Sequence, residues 1–174
     1  MTVVELKELT IQDGTDIYDM LQEIGPGESG FANSGYGLPA ERFKAYLKKY
    51  WRMSHGINLP PQYVPQTIYW LFVNGRPVGY GKLRKYLNDA LRERGGHIGY
   101  VIRPSERGKG YGTLLLRELL GKAGEKGLLE VLITVDEDNA RSRKVAEANG
   151  GQLTELKDGI CKYWIRKLQK VERP

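Results

Sequence analysis

The sequence predicts one mixed domain of the α/β or α+β class. Apolar runs with strand character alternate with amphipathic runs of helical period along the 174 residues. A content of 40% hydrophobic and 28% charged residues is typical of a folded globular chain. A glycine-rich segment at residues 103–113 also separates a strand-like run from a helical one. The length suits one core, so we expect a single domain over residues 1–174.

The first third of the chain predicts one strand and two helices. Residues 3–9 alternate as a strand does, and Asp13 is placed to cap a helix that continues to about Ile24. Residues 25–37 are rich in Gly and Ser and predict a loop. Pro39 then sits at the first turn of a second helix. The apolar positions of that helix share one face: Phe43, Tyr46, Leu47 and Tyr50.

The middle of the chain predicts a β-hairpin followed by a third strand. Residues 67–73 are rich in β-branched and aromatic side chains, and Asn74-Gly75 is a strong hairpin turn before residues 78–83. Residues 84–96 predict one or two helical turns that end at a Gly-Gly pair. The apolar run at residues 98–102 is a strand that leads into the glycine-rich segment.

The last third predicts two helices and three strands. Residues 113–125 form an amphipathic helix, and the nearly continuous apolar run at 129–135 is typical of a strand buried on both faces. Asn139 is a plausible N-cap of the next helix, which an Asn-Gly pair ends. Residues 152–156 and 160–166 are expected to pair as a final hairpin.

The glycine-rich segment has the composition of an anion site. Gly108, Gly110 and Gly112 alternate with Lys109 and Tyr111, between a strand and the start of a helix. At such a turn, backbone N–H groups converge on an anion and the helix dipole favours negative charge. The segment therefore predicts a ligand that carries phosphate.

Spacing disfavours the two familiar nucleotide loops. A P-loop requires Gly-Lys-Ser/Thr, but Lys109 is followed by Gly110. The dinucleotide fingerprint requires a third glycine where Leu115 stands.

The pattern Arg107-x-x-Gly110-x-Gly112 resembles the Arg/Gln-x-x-Gly-x-Gly/Ala motif of the GNAT family of acyl-CoA-dependent N-acetyltransferases. The run Asn139-Ala-Arg-Ser142, followed by Glu147 and a Gly-Gly pair, is similar to the second conserved helix of that family. The resemblance extends over about residues 67–166. It implies the GNAT fold, a central splayed mixed β-sheet flanked by helices.

The resemblance also implies acetyl-CoA as cosubstrate and a set of residues that bind it. The pantetheine arm would lie along Tyr100, Val101 and Ile102, with one of their N–H groups polarising the thioester carbonyl. Asn139 and Ser142 match positions that contact the pantetheine or the sulfur. The pyrophosphate would bind Arg107 and the backbone of Gly108, Lys109, Gly110, Tyr111, Gly112 and Thr113.

The usual acid and base of the family are missing. Ala146 replaces the Tyr that follows the helix-opening Asn by seven residues, and no Glu precedes the loop on its strand. His97 is one candidate base, because a histidine titrates in a useful range, and a strand-end residue without a role is the alternative. Asp136 is a second candidate, at an acidic lip near the amine; the alternative is an ordinary charged turn.

The charge distribution fits the same ligand. Residues 82–112 contain eight basic and three acidic residues, which is most of the formal charge of +6. Because this excess ends in the loop, polyanionic coenzyme A accounts for it and nucleic acid is disfavoured as a partner. One cysteine and two histidines supply no Cys/His metal site. Without an apolar run of membrane-spanning length or a second cysteine, the expected location is the cytoplasm, away from membranes.

The sequence therefore predicts an acetyl-CoA-dependent N-acetyltransferase that acts on a primary amine of a small molecule, peptide or protein. It is expected to act as a monomer or homodimer and to need no metal. The alternative is a non-catalytic sensor or scaffold domain that binds CoA or acyl-CoA, which the missing acid and base favour.

Overall fold

Strands and helices follow one another in the predicted order, with a short hairpin added after the first helix. The computed structural model describes residues 1–166 of the chain, so the end of the predicted 1–174 domain lies outside the described residues. The described elements are β1 (Val4–Glu8), α1 (Thr15–Ile24), β2 (Gly27–Glu28), β3 (Phe31–Ala32), α2 (Phe43–Ser54), β4 (Gln66–Val73), β5 (Arg76–Arg84), α3 (Asp89–Glu93), β6 (Ile98–Ile102), α4 (Tyr111–Glu125), β7 (Glu130–Asp136), α5 (Ala140–Ala148), β8 (Gln152–Lys157) and β9 (Ile160–Arg166).

The larger strands form two sheets that diverge from each other. One sheet has the order β1-β4-β5-β6 and the other the order β7-β9-β8, and the pairings within both are antiparallel. His97, just before β6, joins them: its backbone N–H donates to Leu132 O of β7 at 2.9 Å. Beyond this junction β6 and β7 form no ladder. The predicted mixed α/β class and the splay between two central strands are confirmed.

Two hydrophobic cores lie on opposite faces of the β4–β5 hairpin. Alternate residues of β4 divide between them, because successive side chains of a strand point to opposite faces. Leu71 packs with α4 and with the strands of the second sheet. Trp70 packs instead with the apolar faces of α1 and α2. The four residues predicted for the inner face of α2 are all buried there: Phe43, Tyr46, Leu47 and Tyr50.

Asp13 does not cap the first helix, contrary to the prediction. Gly14 occupies the N-cap position and provides no side-chain hydrogen bond. The Asp13 carboxylate instead accepts from Thr10 N–H at 2.9 Å and from the Trp70 indole N–H at 2.7 Å. A buried indole N–H must find an acceptor, and Asp13 is the residue that provides it.

The predicted loop at residues 25–37 contains the hairpin of β2 and β3. Its base is fixed by Asn33, whose amide donates to Leu21 O at 2.8 Å and to Gly25 O at 2.7 Å. The Asn33 side-chain oxygen accepts from the Tyr80 hydroxyl of β5 at 3.0 Å. The hairpin is therefore attached both to α1 and to the first sheet.

Two further turn and cap predictions agree with the structure, whereas the predicted starts of α2 and α4 do not: Pro39 precedes a 3-10 turn at Ala40–Arg42, and α2 begins at Phe43. Asn74 and Gly75 both have positive φ, as the predicted hairpin turn requires. Asn139 caps α5 by accepting from Ser142 N–H at 3.3 Å. However, α4 begins at Tyr111 rather than Thr113, with Gly110 in the left-handed region at the N-cap.

Candidate functional site

A cavity of about 700 Å³ opens where β6 and β7 diverge. The glycine-rich loop, the first turns of α4 and α5 and the β2–β3 hairpin all line it. Of the predicted cosubstrate residues, all but Lys109 line this cavity: Tyr100, Val101, Ile102, Arg107, Gly108, Gly110, Tyr111, Gly112, Thr113, Asn139 and Ser142. Residues distant in sequence therefore meet around one space.

The loop end of the cavity has the geometry of an anion cradle. Gly108 and Gly110 have φ values of 78° and 81°, which non-glycine residues rarely adopt. A Cβ at either position would meet nothing within 4 Å, so the space beside these glycines is open to a ligand. The N-terminus of α4 follows directly and adds the favourable end of its dipole.

Lys109 and Arg107 have different places in this loop. The Lys109 ammonium is exposed and pairs with Glu106 at 2.7 Å. Arg107 lines the cavity: its Nε donates to Ile102 O at 3.0 Å, and its Nη2 lies 2.6 Å from Glu28 Oε1 in β2. Arg107 thus connects the loop, the end of β6 and the hairpin.

A second ion pair fixes the segment that enters the loop. Arg103 pairs with Glu23 at the end of α1, and Glu23 also accepts from Ser105 N–H at 2.8 Å. Although burial acts to raise the pKa of Glu23, the hydrogen bonds from Ser105 and Arg103 outweigh it and lower that pKa to about 2. Glu23 is therefore ionised at neutral pH and positions the approach to the anion cradle.

β6 presents one edge of backbone groups to the cavity. Arg84 N–H donates to His97 O, and Arg103 N–H donates to Val78 O. These two bonds flank β6 and fix which of its residues bond to β5. In an antiparallel ladder bonded and non-bonded pairs alternate, so Val101 belongs to the bonded set. Tyr100 and Ile102 belong to the non-bonded set, and their N–H groups face away from β5. Of the three predicted residues, these two have backbone groups available to a ligand.

Tyr100 and the start of α5 face each other across the cavity. The Tyr100 hydroxyl donates to Ser142 O at 3.5 Å, and burial raises the pKa of this tyrosine to about 12. Asn139 Nδ2 donates to Ser142 Oγ at 3.2 Å, so the cap and its serine are held together beside the cavity. Ala146, at the position of the missing family tyrosine, is fully buried in the core.

His97 lies outside the cavity lining, in a structural position. Its side chain is 6% exposed, and its Nδ1 accepts from Leu132 N–H at 2.9 Å. Burial, with a smaller contribution from Arg92, lowers the pKa of His97 to about 4. A neutral histidine whose Nδ1 is occupied joins the two sheets, and this placement argues against the predicted role as a general base.

Asp136 does line the cavity, at the end of β7. Its Oδ1 lies 2.8 Å from Nη2 of Arg94, a second cavity residue. The Arg94 guanidinium also lies against Gly30 at the tip of the β2–β3 hairpin. Of the acidic run expected to form a lip, Asp136 therefore lines the cavity, with the Arg94 cation paired to it.

Sequence reasoning missed the end of the cavity under the β2–β3 hairpin. Lys82 lines it, with Nζ 2.5 Å from Ala32 O and 4.5 Å from the centre of the Phe31 ring. Arg84 lines it too and donates to the carbonyls of Gly95 and Gly96. The basic excess of residues 82–112 is the signal in the sequence for this end, where coenzyme A and solvated surface had been the two explanations for it.

Neither a metal site nor a membrane helix is found in the described part of the chain. Within residues 1–166, no three His, Cys, Asp or Glu side chains are grouped so that they could hold a metal ion. None of the helices described there combines the length and apolar character that crossing a bilayer requires.

The profile of the Acetyltransferase (GNAT) family matches residues 36–150 of this sequence. The chain therefore belongs to the GNAT acetyltransferase family. No curated protein matches the sequence.

Solved structures of acetyltransferases share the fold at low sequence identity. RimL, a ribosomal L7/L12 alpha-N-protein acetyltransferase in complex with coenzyme A, superimposes with a TM-score of 0.68 at 16% identity, covering 94% of each chain. The putative acetyltransferase yncA of Salmonella typhimurium, with acetyl-CoA, gives 0.63 at 16% identity over 98% of this chain and 97% of that one. The Campylobacter jejuni N-acetyltransferase PseH, with acetyl coenzyme A, gives 0.62 at 12% identity over 94% and 99%.

Proposed function

We propose that the protein transfers the acetyl group of acetyl-CoA to a primary amine of a small molecule, a peptide or a protein. The observation that carries the proposal is one continuous cavity from the anion cradle, along the free edge of β6, to the space under the β2–β3 hairpin. Family members with bound CoA or acetyl-CoA share this fold. We expect the enzyme to act in the cytoplasm as a monomer or homodimer, without nucleic acid, membrane or metal.

The pyrophosphate is placed at the glycine-rich loop in this proposal. The N–H groups of Gly108 to Thr113 would bind it, with Lys109 contributing through its backbone because its ammonium is paired elsewhere. Arg107 would turn from Glu28 to the phosphates. Asn139 and Ser142 would contact the pantetheine from the opposite side of the cavity.

The thioester is placed against β6. The N–H of Tyr100 or Ile102 would donate to the thioester carbonyl oxygen, because these groups face away from β5. Such a donor stabilises the negative charge that develops on oxygen during attack. Val101, whose backbone bonds to β5, would contribute packing alone.

The reaction proposed is direct attack by the neutral amine. The amine nitrogen forms a bond to the acetyl carbon, the C–S bond breaks, and the amine loses a proton as the thiolate gains one. Asp136 would exchange its partner Arg94 for the incoming ammonium, and water would carry the ammonium proton away. His97 has no part in this scheme, because its ring is bonded between the sheets.

Tyr100 is our candidate for the missing acid. Its hydroxyl lines the cavity beside Ser142, and its raised pKa keeps it protonated at neutral pH. A phenol there could donate its proton to the departing thiolate, as the tyrosine that Ala146 replaces is thought to do in the family.

The experiment that tests the proposal is release of free thiol from acetyl-CoA in the presence of a panel of primary amines. An enzyme releases thiol and forms an acetylated amine that mass spectrometry detects. The alternative, a sensor or scaffold, binds acetyl-CoA in calorimetry without turnover of any amine. Failure to bind acetyl-CoA at all would overturn both.

A further inference from the structure

Resting on the proposed transferase function, we propose that Lys82 and Arg84 bind an anionic group on the acceptor, so that the substrates are amines that also carry a carboxylate or a phosphate. The site lies at the end of the cavity under the β2–β3 hairpin.

The first step of the argument is burial. Lys82 is 9% exposed, and neither it nor Arg84 has an ion-pair partner among the carboxylates of the described residues. Lys and Arg are rarely buried without a compensating negative charge, because desolvation of a charge is unfavourable. The same desolvation lowers the pKa of Lys82 to about 8 and that of Arg84 to about 10.

The second step is that the carboxylates of the cavity are already engaged. Glu28 pairs with Arg107, Asp136 pairs with Arg94, and Glu106 pairs with both Lys109 and Arg76. These three are the acidic residues that line the cavity. The protein thus presents a buried lysine and a half-buried arginine to a space in which its own anions are occupied.

The third step is geometry. Lys82 and Arg84 are alternate residues of β5, so they share one face about 7 Å apart along the strand. Lys82 has three ammonium donors, and one hydrogen bond, to Ala32 O, is recorded for it within residues 1–166. Donors therefore remain for a ligand.

The fourth step separates this site from the phosphates of the cosubstrate. Lys82 pairs in register with Gly99 of β6. Gly99 lies three residues before Ile102, the end of β6 that leads into the glycine-rich segment. At about 3.3 Å per residue, this places Lys82 about 10 Å along the strand from that end. The cations therefore face the acceptor end of the cavity, while the glycine-rich loop provides for the pyrophosphate.

Steady-state kinetics on the wild-type protein give the first test. The panel pairs L-amino acids with their carboxamides, and phosphoethanolamine with ethanolamine, at saturating acetyl-CoA. For the accepted skeleton, the anionic member should have a KM at least about tenfold lower than its neutral counterpart, as a charge-assisted bond predicts. The two arms distinguish carboxylate from phosphate. Equal or lower KM for the neutral members would overturn the proposal.

A binding measurement tests the site without turnover. Glutarate and phosphoethanolamine are titrated by calorimetry into the protein saturated with CoA, with glutaramide as the neutral probe. At least one of the two anionic probes should bind, and glutaramide should not. If neither anionic probe binds while CoA does, the anion site is refuted, whatever the outcome for catalysis. Turnover without this selectivity would refute the anion site and leave the transferase standing.

Variants then assign the binding to Lys82. Lys82→Met should weaken anion binding by about tenfold or more, and Lys82→Arg should retain it, because the positive charge remains. Lys85→Met is the matched control, an exposed lysine just beyond β5 that does not line the cavity. Equal loss in the Lys82→Met and Lys85→Met proteins would contradict the assignment.

Discussion

The Arg107 guanidinium and the Glu28 carboxylate form an ion pair beside the cavity, with Nη2 and Oε1 2.6 Å apart. Arg107 belongs to the glycine-rich loop and Glu28 to the β2–β3 hairpin, and both residues line the cavity. The residue proposed to bind pyrophosphate is therefore also held by the hairpin. Binding of the two substrates should be linked through this pair.

Glu28→Gln should strengthen binding of CoA. The substitution frees Arg107 from an ion pair whose partners are 30% and 56% exposed, which is worth about 0.2–1 kcal/mol. The dissociation constant measured by calorimetry should therefore fall by up to about fivefold. Glu41→Gln, at an exposed position outside the cavity, is the control. Weaker binding in the Glu28→Gln protein would show that the pair does not compete with the ligand.

Gly110→Ala should lower both stability and affinity for CoA. A residue with a Cβ at φ 81° costs about 1–2 kcal/mol, and the added methyl group would enter open space beside the cavity. Gly121→Ala in α4 is the matched control, because no atom lies within 4 Å of the new Cβ and φ is not positive there. Thermal unfolding and calorimetry measure the two effects; unchanged CoA affinity in the Gly110→Ala protein would argue against the cradle.

Tyr100→Phe should lower kcat by about tenfold or more, with little change in the KM of acetyl-CoA. The reason is that the phenol is our candidate proton donor to the thiolate, while the ring itself is retained. Tyr36→Phe, on the exposed surface, is expected to behave as wild type. Should single-turnover acetyl transfer proceed at the wild-type rate in the Tyr100→Phe protein, the donor must be water.

His97→Ala should destabilise the fold without altering the pH profile of kcat. Loss of the Nδ1 acceptor leaves the buried Leu132 N–H unpaired, at a cost of about 1–3 kcal/mol. Because the folded pKa of about 4 lies below the usual 6.5, the contribution of His97 is complete above pH 6.5 and decreases as pH falls towards 4. Denaturant unfolding should therefore show the difference from wild type shrinking over that range.

His55→Ala is the control for this measurement, since His55 is exposed at the end of α2. If the His97→Ala protein is fully folded and the pH profile of its kcat is altered, the prediction is wrong and His97 takes part in catalysis.

Features that depend on residues adjacent in the chain were predictable from the sequence. The Asn74-Gly75 turn and the Asn139 cap depend on local backbone chemistry, which residue type reports directly. Hydrophobic periodicity predicted the order of strands and helices around them, and the family resemblance added the splay of the sheet.

Features that depend on distant partners were not predictable. Asp13 is a residue type that often caps helices, but its carboxylate accepts from the indole N–H of Trp70, 57 residues away. Lys82 meets Ala32 across 50 residues, through a hairpin with strands of two residues each, too short to leave a periodic pattern. The end of the cavity under the β2–β3 hairpin consists of such contacts between residues distant in sequence, so its side chains could be identified only from the structure.

The two cores on either face of the β4–β5 hairpin support different helices around the cavity. Leu71 lies in the core built with α4, the helix that follows the cradle, whereas Trp70 lies in the core that supports α1 and α2. Substitutions in one core need not couple to those in the other, since effects at separated sites are largely additive. A lineage of this enzyme could thus repack α1 and α2 to accept a new amine, provided that Glu23 in α1 and Glu28 in the β2–β3 hairpin keep their ion pairs with Arg103 and Arg107.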